Sequence, residues 1–272
     1  MDRVNNETYG KKTVAKRRLL IVLIVVCVAV FAVSAYMLIQ YYMVDRESEN
    51  AFDELRLPAG DDAAHEDPDL YAKRQAHYRD LYAQNDDFVG WLKIFDTKVD
   101  YPVMQTPDER DYYLHRDFNK KYSAAGALFA SDISDVDRPS DVVIIFGHMM
   151  KSGSMFGGLK EYTDADYLEG HRVARLDTLT EERFYRIFCV FVESVNTGKS
   201  SEFRYYDVSD FADEAAFDEF MSKAKSKELY DTGDTAAYGD EILALSTCEY
   251  THEDGRLVLL AKRFTPGGDE AE

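Results

Sequence analysis

The feature that most restricts the possible folds is a run of 21 residues, 19–39, without a charged side chain. A helix of that length, at 1.5 Å per residue, crosses a hydrocarbon core about 30 Å thick. The residues before Ala35 resemble a signal-peptidase site, so a cleaved signal peptide is the alternative interpretation. Because the apolar character continues to Val44, beyond the length of a signal-peptide core, residues 19–44 are predicted to form one transmembrane signal anchor.

Positive charge is concentrated before this run and negative charge after it. Residues 1–18 contain six Lys or Arg and two Asp or Glu, a net charge of +4, and residues 19–44 contain none. The positive-inside rule therefore predicts a single-pass protein of the cell membrane, with a cytoplasmic tail (1–18) and an extracellular remainder. Subtracting +4 from the total of −19 leaves −23 for residues 45–272. A domain with so large a net negative charge is poorly suited to nucleic acid, which requires a basic surface, so no nucleic-acid partner is expected.

The exported part begins with an acidic segment and a helix. Residues 46–66 are rich in Asp and Glu and contain the helix-breaking sequence Leu-Pro-Ala-Gly, which indicates a partly ordered stalk. Asp67 supplies an N-cap and Pro68 the first helical position, so a helix is predicted over 68–84. Residues 45–84 are thus interpreted as a stalk and an N-terminal helix that lead into the domain.

Residues 85–266 have the pattern of a mainly β domain with added helices. From Trp91 onward, short β-prone runs recur, at 98–104, 125–130, 142–146, 172–176, 183–195, 241–247 and 257–264. Seven or eight strands in about 180 residues favour one closed or nearly closed β-barrel. Residues 267–272 follow as an acidic tail.

Two helical insertions interrupt the strands. The first, 154–168, is short and contains Gly157 and Gly158. The second, 208–230, is predicted to be a long packing helix because apolar side chains recur at helical spacing, at Phe211, Ala215, Phe217, Phe220, Met221 and Ala224. The six histidines are scattered and no glycine-rich phosphate loop occurs, so neither a metal nor another cofactor is expected.

The three cysteines have different sequence environments. Cys27 lies within the predicted anchor, Cys189 lies inside the strand-like run 183–195, and Cys248 follows the run 241–247. A disulfide between Cys189 and Cys248 is one possibility in an exported domain. Because a cysteine inside a strand behaves as a small buried hydrophobe, Cys189 is expected in the core and Cys248 is expected to be a free, reactive thiol.

Three residues suited to acyl transfer come at the ends of predicted strands. Cys248 ends one strand, Arg256 begins the next, and His148 follows the all-apolar run 142–146. A thiol serves as nucleophile, an imidazole moves protons and a guanidinium stabilises an oxyanion, so these three are the catalytic candidates. The hydroxyl of Thr247 and the backbone N–H of Glu249 are supporting candidates for orienting the substrate and binding the oxyanion.

Three other histidines compete with His148 for the role of proton carrier, namely His115, His171 and His252. His252 lies four residues past Cys248, but its acidic loop is typical of a flexible lid, and no strand fixes its geometry. His148 is favoured because it follows a predicted central strand.

The order and spacing of these residues resemble the sortases, the cysteine transpeptidases of the Gram-positive cell surface. Ala244-Leu245-Ser246-Thr247-Cys248 followed by Arg256 is similar to the family's TLxTC motif and catalytic arginine, with Ala244 replacing the first Thr. Residues 85–105, 112–132 and 146–171 resemble the class B branch, so the resemblance covers nearly all of 85–264. Met149 departs from the Asn that class B proteins usually carry after the histidine.

The resemblance implies a sortase-type closed barrel of about eight strands, with an N-terminal helix and a long helix before the cysteine strand. It implies cleavage of a secreted protein's C-terminal sorting signal between Thr and Gly, through a thioacyl-enzyme, and transfer of that protein to a peptidoglycan amine. Alternatives are an anchored cysteine peptidase that hydrolyses the thioester and a sortase that polymerises pilins. An inactive anchored binding module is disfavoured, because Cys248, His148 and Arg256 are all present.

Overall fold

The computed structural model describes residues 2–57, 68–106, 108–195, 203–249 and 255–267. The chain divides into two compact units, Met1–Arg46 and Glu47–Glu272. Helix α1, Asp2–Asp53, begins in the first unit and ends in the second. Within the described residues, one helical stretch, Lys16–Asp53, is long and apolar enough to cross a membrane.

The second unit is built on a closed barrel of eight strands, which confirms the predicted fold class. The strands are β1 Phe88–Ile94, β2 Asp100–Met104, β3 Leu128–Ala130, β4 Val142–Gly147, β5 Val173–Asp177, β6 Glu182–Ser194, β7 Ile242–Glu249 and β8 Gly255–Phe264. Their order around the barrel is β1-β2-β3-β4-β7-β8-β6-β5, and β5 pairs with β1 to close it. The β2/β3 and β4/β7 pairs are parallel, and the remaining pairs are antiparallel.

Strand β1 is the one that the sequence pattern did not single out. Gly90 and Lys93 dilute its β-prone pattern. A Cβ at Gly90 would lie 2.5 Å from the carbonyl oxygen of Asp177 on β5, so the close approach of the two strands requires glycine there. The glycine that weakened the sequence signal is therefore a packing requirement of the closed barrel.

Helix α2, Pro68–Gln84, has the predicted bounds. Buried Arg74 pairs with Glu182, and the Tyr78 hydroxyl donates to Asp177 Oδ2 at 2.8 Å, so buried polar contacts fix α2 to β5 and β6. The helix predicted over 154–168 is instead a 3₁₀ helix, Gly157–Thr163, followed by a short helix α3, Ala165–Gly170. The two are separate because the side chain of Asp164 caps α3 by accepting the N–H of Asp166.

Helix α4, Glu214–Lys227, is shorter than the predicted helix 208–230. Asp213 Oδ1 accepts the N–H of Ala216 at 2.9 Å, and this N-cap sets the start of the helix. Ala215 is exposed and Phe211 precedes the helix, so the buried face is narrower than predicted. It consists of Phe217, Phe220, Met221 and Ala224.

Helix α4 packs in one apolar cluster with one face of the strands that carry the candidate site. Val142 and Ile144 of β4, with Ile242 and Ala244 of β7, belong to that cluster, and the alternate residues of the same strands belong to the larger core cluster. Strands buried on both faces are continuous apolar runs, which is why the sequence predicted them well.

The segment predicted as a stalk is in part packed against the barrel. Phe52 is 1% exposed, and its ring meets the Tyr101 ring edge-on at 5.5 Å. The Tyr101 hydroxyl donates to Glu49 at 2.7 Å, and Arg56 Nε donates to the Asp100 carbonyl at 2.9 Å. Residues 47–57 are therefore part of the barrel unit, and residues 58–67 lie outside the described ones.

Candidate active site

The end of β4 places His148. Residues 142–145 of this strand are fully buried, and β4 ends at Gly147. A Cβ at Gly147 would lie 2.4 Å from Leu128 Cδ2 and 2.7 Å from the Phe156 ring, so any larger residue there would displace these two buried side chains. The Phe156 N–H also donates to the His148 carbonyl at 3.0 Å, which fixes the backbone where the strand ends.

The register of three adjacent strands brings the predicted catalytic residues to one end of the barrel. Cys248 of β7 lies opposite Arg256 of β8, and Gly147 of β4 lies beside Thr247 of β7. His148 directly follows Gly147, so the backbones of all three candidates are neighbours. Of Cys248 and Glu249, the structure describes the backbone.

A cavity of about 290 Å³ opens at this end of the barrel. Its walls include His148, Thr247 and Arg256, three of the five candidates from the sequence. They also include side chains that sequence reasoning had not selected, among them Arg110 and Tyr205. The cavity therefore gathers the described candidates around a common space large enough for a peptide segment.

The imidazole of His148 is held on one edge and covered on one face. Its Nε2 lies 2.8 Å from the Leu114 carbonyl oxygen, and since a carbonyl only accepts, Nε2 carries the hydrogen. The ring of His115 stacks on it with centroids 5.4 Å apart and planes inclined by 26°. Burial lowers the pKa of His148 below its ordinary value, the charges of His115 and Arg256 lower it further, and the Leu114 carbonyl opposes these effects.

Arg256 and Thr247 supply different polar groups to the cavity. Arg256 is partly buried, and its Nη1 donates to the carbonyl of Gly255 at 3.1 Å. Thr247 is 1% exposed, and its Oγ1 has no hydrogen-bond partner among the described residues. A buried hydroxyl at the wall of a cavity can hydrogen-bond a ligand that enters it.

Where the structure describes them, the other histidines that compete with His148, and the second cysteine of the domain, lie at different distances from the site. His115 contacts His148 directly, whereas His171 stacks on Tyr167 at 3.9 Å and is not among the residues that line the cavity. His252 lies outside the described residues. Cys189 is fully buried and unpaired, and burial raises the pKa of its thiol to about 12, so it is core as predicted.

Met149 stands directly after His148, where class B proteins usually carry Asn. It is 6% exposed and forms an isolated antiparallel bridge with Met155. A polar partner of the imidazole is the backbone carbonyl of Leu114, in the 3₁₀ helix Tyr112–His115. Sequence reasoning missed this partner because a backbone carbonyl carries no residue-specific signal. Among the described residues, no group of three or more His, Cys, Asp or Glu side chains could hold a metal ion.

No protein-family model matches the chain. It is 34% identical over 189 residues to sortase B of Listeria monocytogenes, a match that covers 69% of this chain and 74% of the relative. Sortase B of Staphylococcus aureus is 24% identical over 252 residues, covering 90% of this chain and 97% of that protein. The crystal structure of sortase B from Bacillus anthracis in complex with AAEK1 superposes with a TM-score of 0.67 at 30% identity, covering 82% of this chain and 99% of that one. The identity and coverage of the Listeria relative, together with the matching barrel, show that this chain belongs to the class B sortases, a family of cysteine transpeptidases.

Proposed function

We propose that this protein is a membrane-anchored sortase that joins secreted proteins to the cell wall. In this proposal Cys248 is the nucleophile, His148 the proton carrier and Arg256 the oxyanion or substrate-backbone ligand. The observation that carries the proposal is the strand register, which sets Cys248 opposite Arg256 and Thr247 beside Gly147, the residue before His148, at the end of the barrel where His148 and Arg256 line one cavity. The substrate is a protein with a C-terminal sorting signal, cleaved between Thr and Gly.

The first half of the reaction forms a thioester. The Cys248 thiol gives its proton to Nδ1 of His148, because Nε2–H is occupied by the Leu114 carbonyl. The thiolate attacks the carbonyl carbon of the motif's threonine, and the oxyanion is stabilised by Arg256 and by the backbone N–H of Glu249. The Thr–Gly bond then breaks, and the leaving amine takes the proton from His148. A lowered imidazole pKa makes the protonated ring a stronger acid for this step.

The second half transfers the acyl group. An amine of the peptidoglycan stem or crossbridge attacks the thioester carbon and gives its surplus proton to His148. The collapse of the tetrahedral intermediate breaks the C–S bond and returns the thiolate and the imidazolium of the first half. Water in place of the amine gives hydrolysis, the side activity and the alternative as an anchored peptidase. An amine of a second pilin subunit gives the polymerising alternative.

The anchor fixes where this chemistry takes place. The apolar part of α1 follows a basic segment, so in our proposal residues 1–18 are cytoplasmic and the barrel unit lies outside the cell membrane. That location supplies both the exported donor protein and the cell-wall acceptor.

Mass spectrometry tests the proposal directly. The protein is incubated with a panel of labelled sorting-signal peptides, with and without amine acceptors, and digested to locate the acyl adduct. We expect an adduct on Cys248 that is lost in Cys248→Ala, is retained in Cys189→Ala, and is discharged faster by amines than by water. A peptidase would be indicated by discharge that amines do not accelerate. Failure of every peptide to label the folded protein would contradict the assigned donor class.

A further inference from the structure

The 3₁₀ helix Tyr112–His115 contacts the His148 imidazole through two consecutive residues. The Leu114 carbonyl accepts the Nε2–H at 2.8 Å, and the neighbouring His115 ring covers a face of the imidazole at 5.4 Å. One contact fixes the ring edge and the other fixes the ring plane. Together they restrict rotation about the His148 side chain in a way that neither would alone.

Gly126 determines where the Leu114 carbonyl can lie. It has a φ of +61°, and a Cβ there would be 2.4 Å from the Leu114 carbonyl oxygen and 2.7 Å from that of Tyr113. Contacts shorter than 3.0 Å to backbone atoms cannot be relieved by a side-chain rotation. The absence of a side chain at Gly126 therefore leaves space for the carbonyl that accepts from His148.

The turn is itself fixed on the barrel unit. Tyr113 is 1% exposed, and its hydroxyl donates to Asp87 at 2.8 Å and accepts from Asn85 Nδ2 at 2.8 Å. The Tyr113 carbonyl accepts the N–H of Ala127, and the His115 carbonyl accepts the N–H of Ser123, each at 3.0 Å. Because buried groups and backbone bonds hold the turn on both sides, it can hold His148.

We propose that the turn Tyr112–His115 is the positioning element of His148, with Leu114 fixing the Nε2–H tautomer, His115 fixing the ring plane, and Gly126 leaving space for the Leu114 carbonyl. This inference rests on the proposed function only in giving His148 the role of proton carrier. Its chemical consequence is that Nδ1 is the nitrogen that exchanges protons with the nucleophile and the leaving amine. In the other tautomer Nε2 would be the acceptor and would face the Leu114 carbonyl oxygen without a hydrogen between them.

The matched test pair is Gly126→Ala and Gly233→Ala. Both glycines have a left-handed backbone, with φ of +61° and +69°, so alanine introduces similar backbone strain at each. A Cβ at Gly233 meets nothing within 4 Å, whereas a Cβ at Gly126 meets the Leu114 carbonyl. The difference between the two variants therefore reports the displacement of the Leu114 carbonyl, together with that of the adjoining Tyr113 carbonyl.

The first readout is the tautomer of His148, which does not require activity. The full chain in detergent micelles, labelled with ¹⁵N at its six histidines, is examined at a pH above the imidazole titration, and His148→Gln assigns the resonance. We expect a pyrrole-type Nε2 and a pyridine-type Nδ1 in the unsubstituted chain and in Gly233→Ala, and a mixture in Gly126→Ala. A pyrrole-type Nδ1 in the unsubstituted chain would overturn the proposal, as would identical spectra for the two alanine variants.

The second readout is the pH profile of kcat/KM for sorting-peptide cleavage. Among the described residues, the charged or titratable groups that line the same cavity or stack on His148 are Arg110, Asp111, His115, Tyr205, Tyr206 and Arg256. His115→Phe keeps a flat ring but removes the electrostatic effect by which His115 lowers the pKa of His148, so we expect the acidic limb of the profile to move to higher pH with the tautomer unchanged. His115→Ala removes the ring, and we expect kcat to fall about tenfold or more with little change in KM, the scale of a lost orientation. Unchanged kcat and an unchanged acidic limb in both variants would refute the role of His115.

Gly126→Ala should lower kcat/KM by about tenfold to a hundredfold relative to Gly233→Ala. If Gly126→Ala fails to fold, the positioning role of the turn is tested by the tautomer of the unsubstituted chain and by the variants His115→Phe and His115→Ala. If the protein cleaves no sorting peptide while the tautomer shifts as expected, the proposed function fails and the positioning contact stands. If cleavage is normal while the tautomer is the opposite one, the positioning proposal fails and the function stands.

Discussion

Phe52→Ala tests whether the end of helix α1 is part of the folded barrel unit. Phe52 is 1% exposed and packs edge-on against Tyr101, and it belongs to the main core cluster. Truncating a buried phenylalanine to alanine removes its transfer free energy and leaves a cavity, at a cost of about 3–5 kcal/mol in the free energy of unfolding. In a unit of this size, roughly 2–4 °C of melting temperature is lost per kcal/mol. We therefore expect the melting temperature to fall by about 6–20 °C.

The assay is thermal and urea unfolding of the fragment 45–272, followed by circular dichroism. Tyr82→Ala is the matched control, because Tyr82 is an aromatic residue of helix α2 whose exposed fraction is 45%. This substitution should lower the free energy of unfolding by less than about 1 kcal/mol. A fragment that starts at residue 58 should be destabilised by at least as much as Phe52→Ala. If Phe52→Ala costs no more than the control, residues 47–57 act as a stalk after all and the packing argument is refuted.

Four further outcomes test the chemistry. Cys248→Ala should abolish peptide cleavage at nearly unchanged stability, whereas Cys189→Ala should lower the unfolding midpoint and retain cleavage. The reverse result would identify Cys189 as the nucleophile. Arg256→Lys should recover little of the turnover lost in Arg256→Ala, because a compact ammonium cannot replace a planar multi-donor fork, and near-normal turnover in the lysine variant would contradict this geometric role. Burial lowers the pKa of His148, so the loss of activity on acidification should occur at a pH below the ordinary imidazole pKa of about 6.5. The measurement is kcat/KM as a function of pH. Thr247→Val should leave the melting temperature unchanged or raise it, because the buried hydroxyl has no hydrogen-bond partner among the described residues. The variant should have a lower turnover if that hydroxyl binds substrate. A large loss of stability would show that the hydroxyl has a partner in the folded protein.

The strands around the site were predictable because both of their faces are buried. Continuous apolar runs in the sequence predicted β4 and β7, and the residues at the ends of these two strands are adjacent in the structure. Strand β1 was not predicted, because the glycine needed for its contact with β5 breaks the local pattern. The length of α4 was overestimated, because periodicity alone does not show that Asp213 caps the helix.

The contacts that hold His148 could not have been predicted from the sequence. Leu114 acts through its backbone, so its side-chain identity gives no signal. His115 was visible only as a rival for the same role, and the sequence could not show that its ring stacks on the residue it competes with. The packing of Phe52 was hidden by its acidic surroundings, which are typical of a disordered segment.

The position of β8 in the barrel has a consequence for the order of events during biosynthesis. In chain order β8 is the last strand of the barrel, yet in space it lies between β6 and β7, and it carries Arg256. A chain that emerges N-terminus first therefore cannot close the barrel, or set a guanidinium opposite Cys248, until residue 264 is available. In the proposed mechanism the chain has its nucleophilic thiol until then but lacks the cation opposite it, so we expect acylation by substrate proteins to be disfavoured before synthesis is complete.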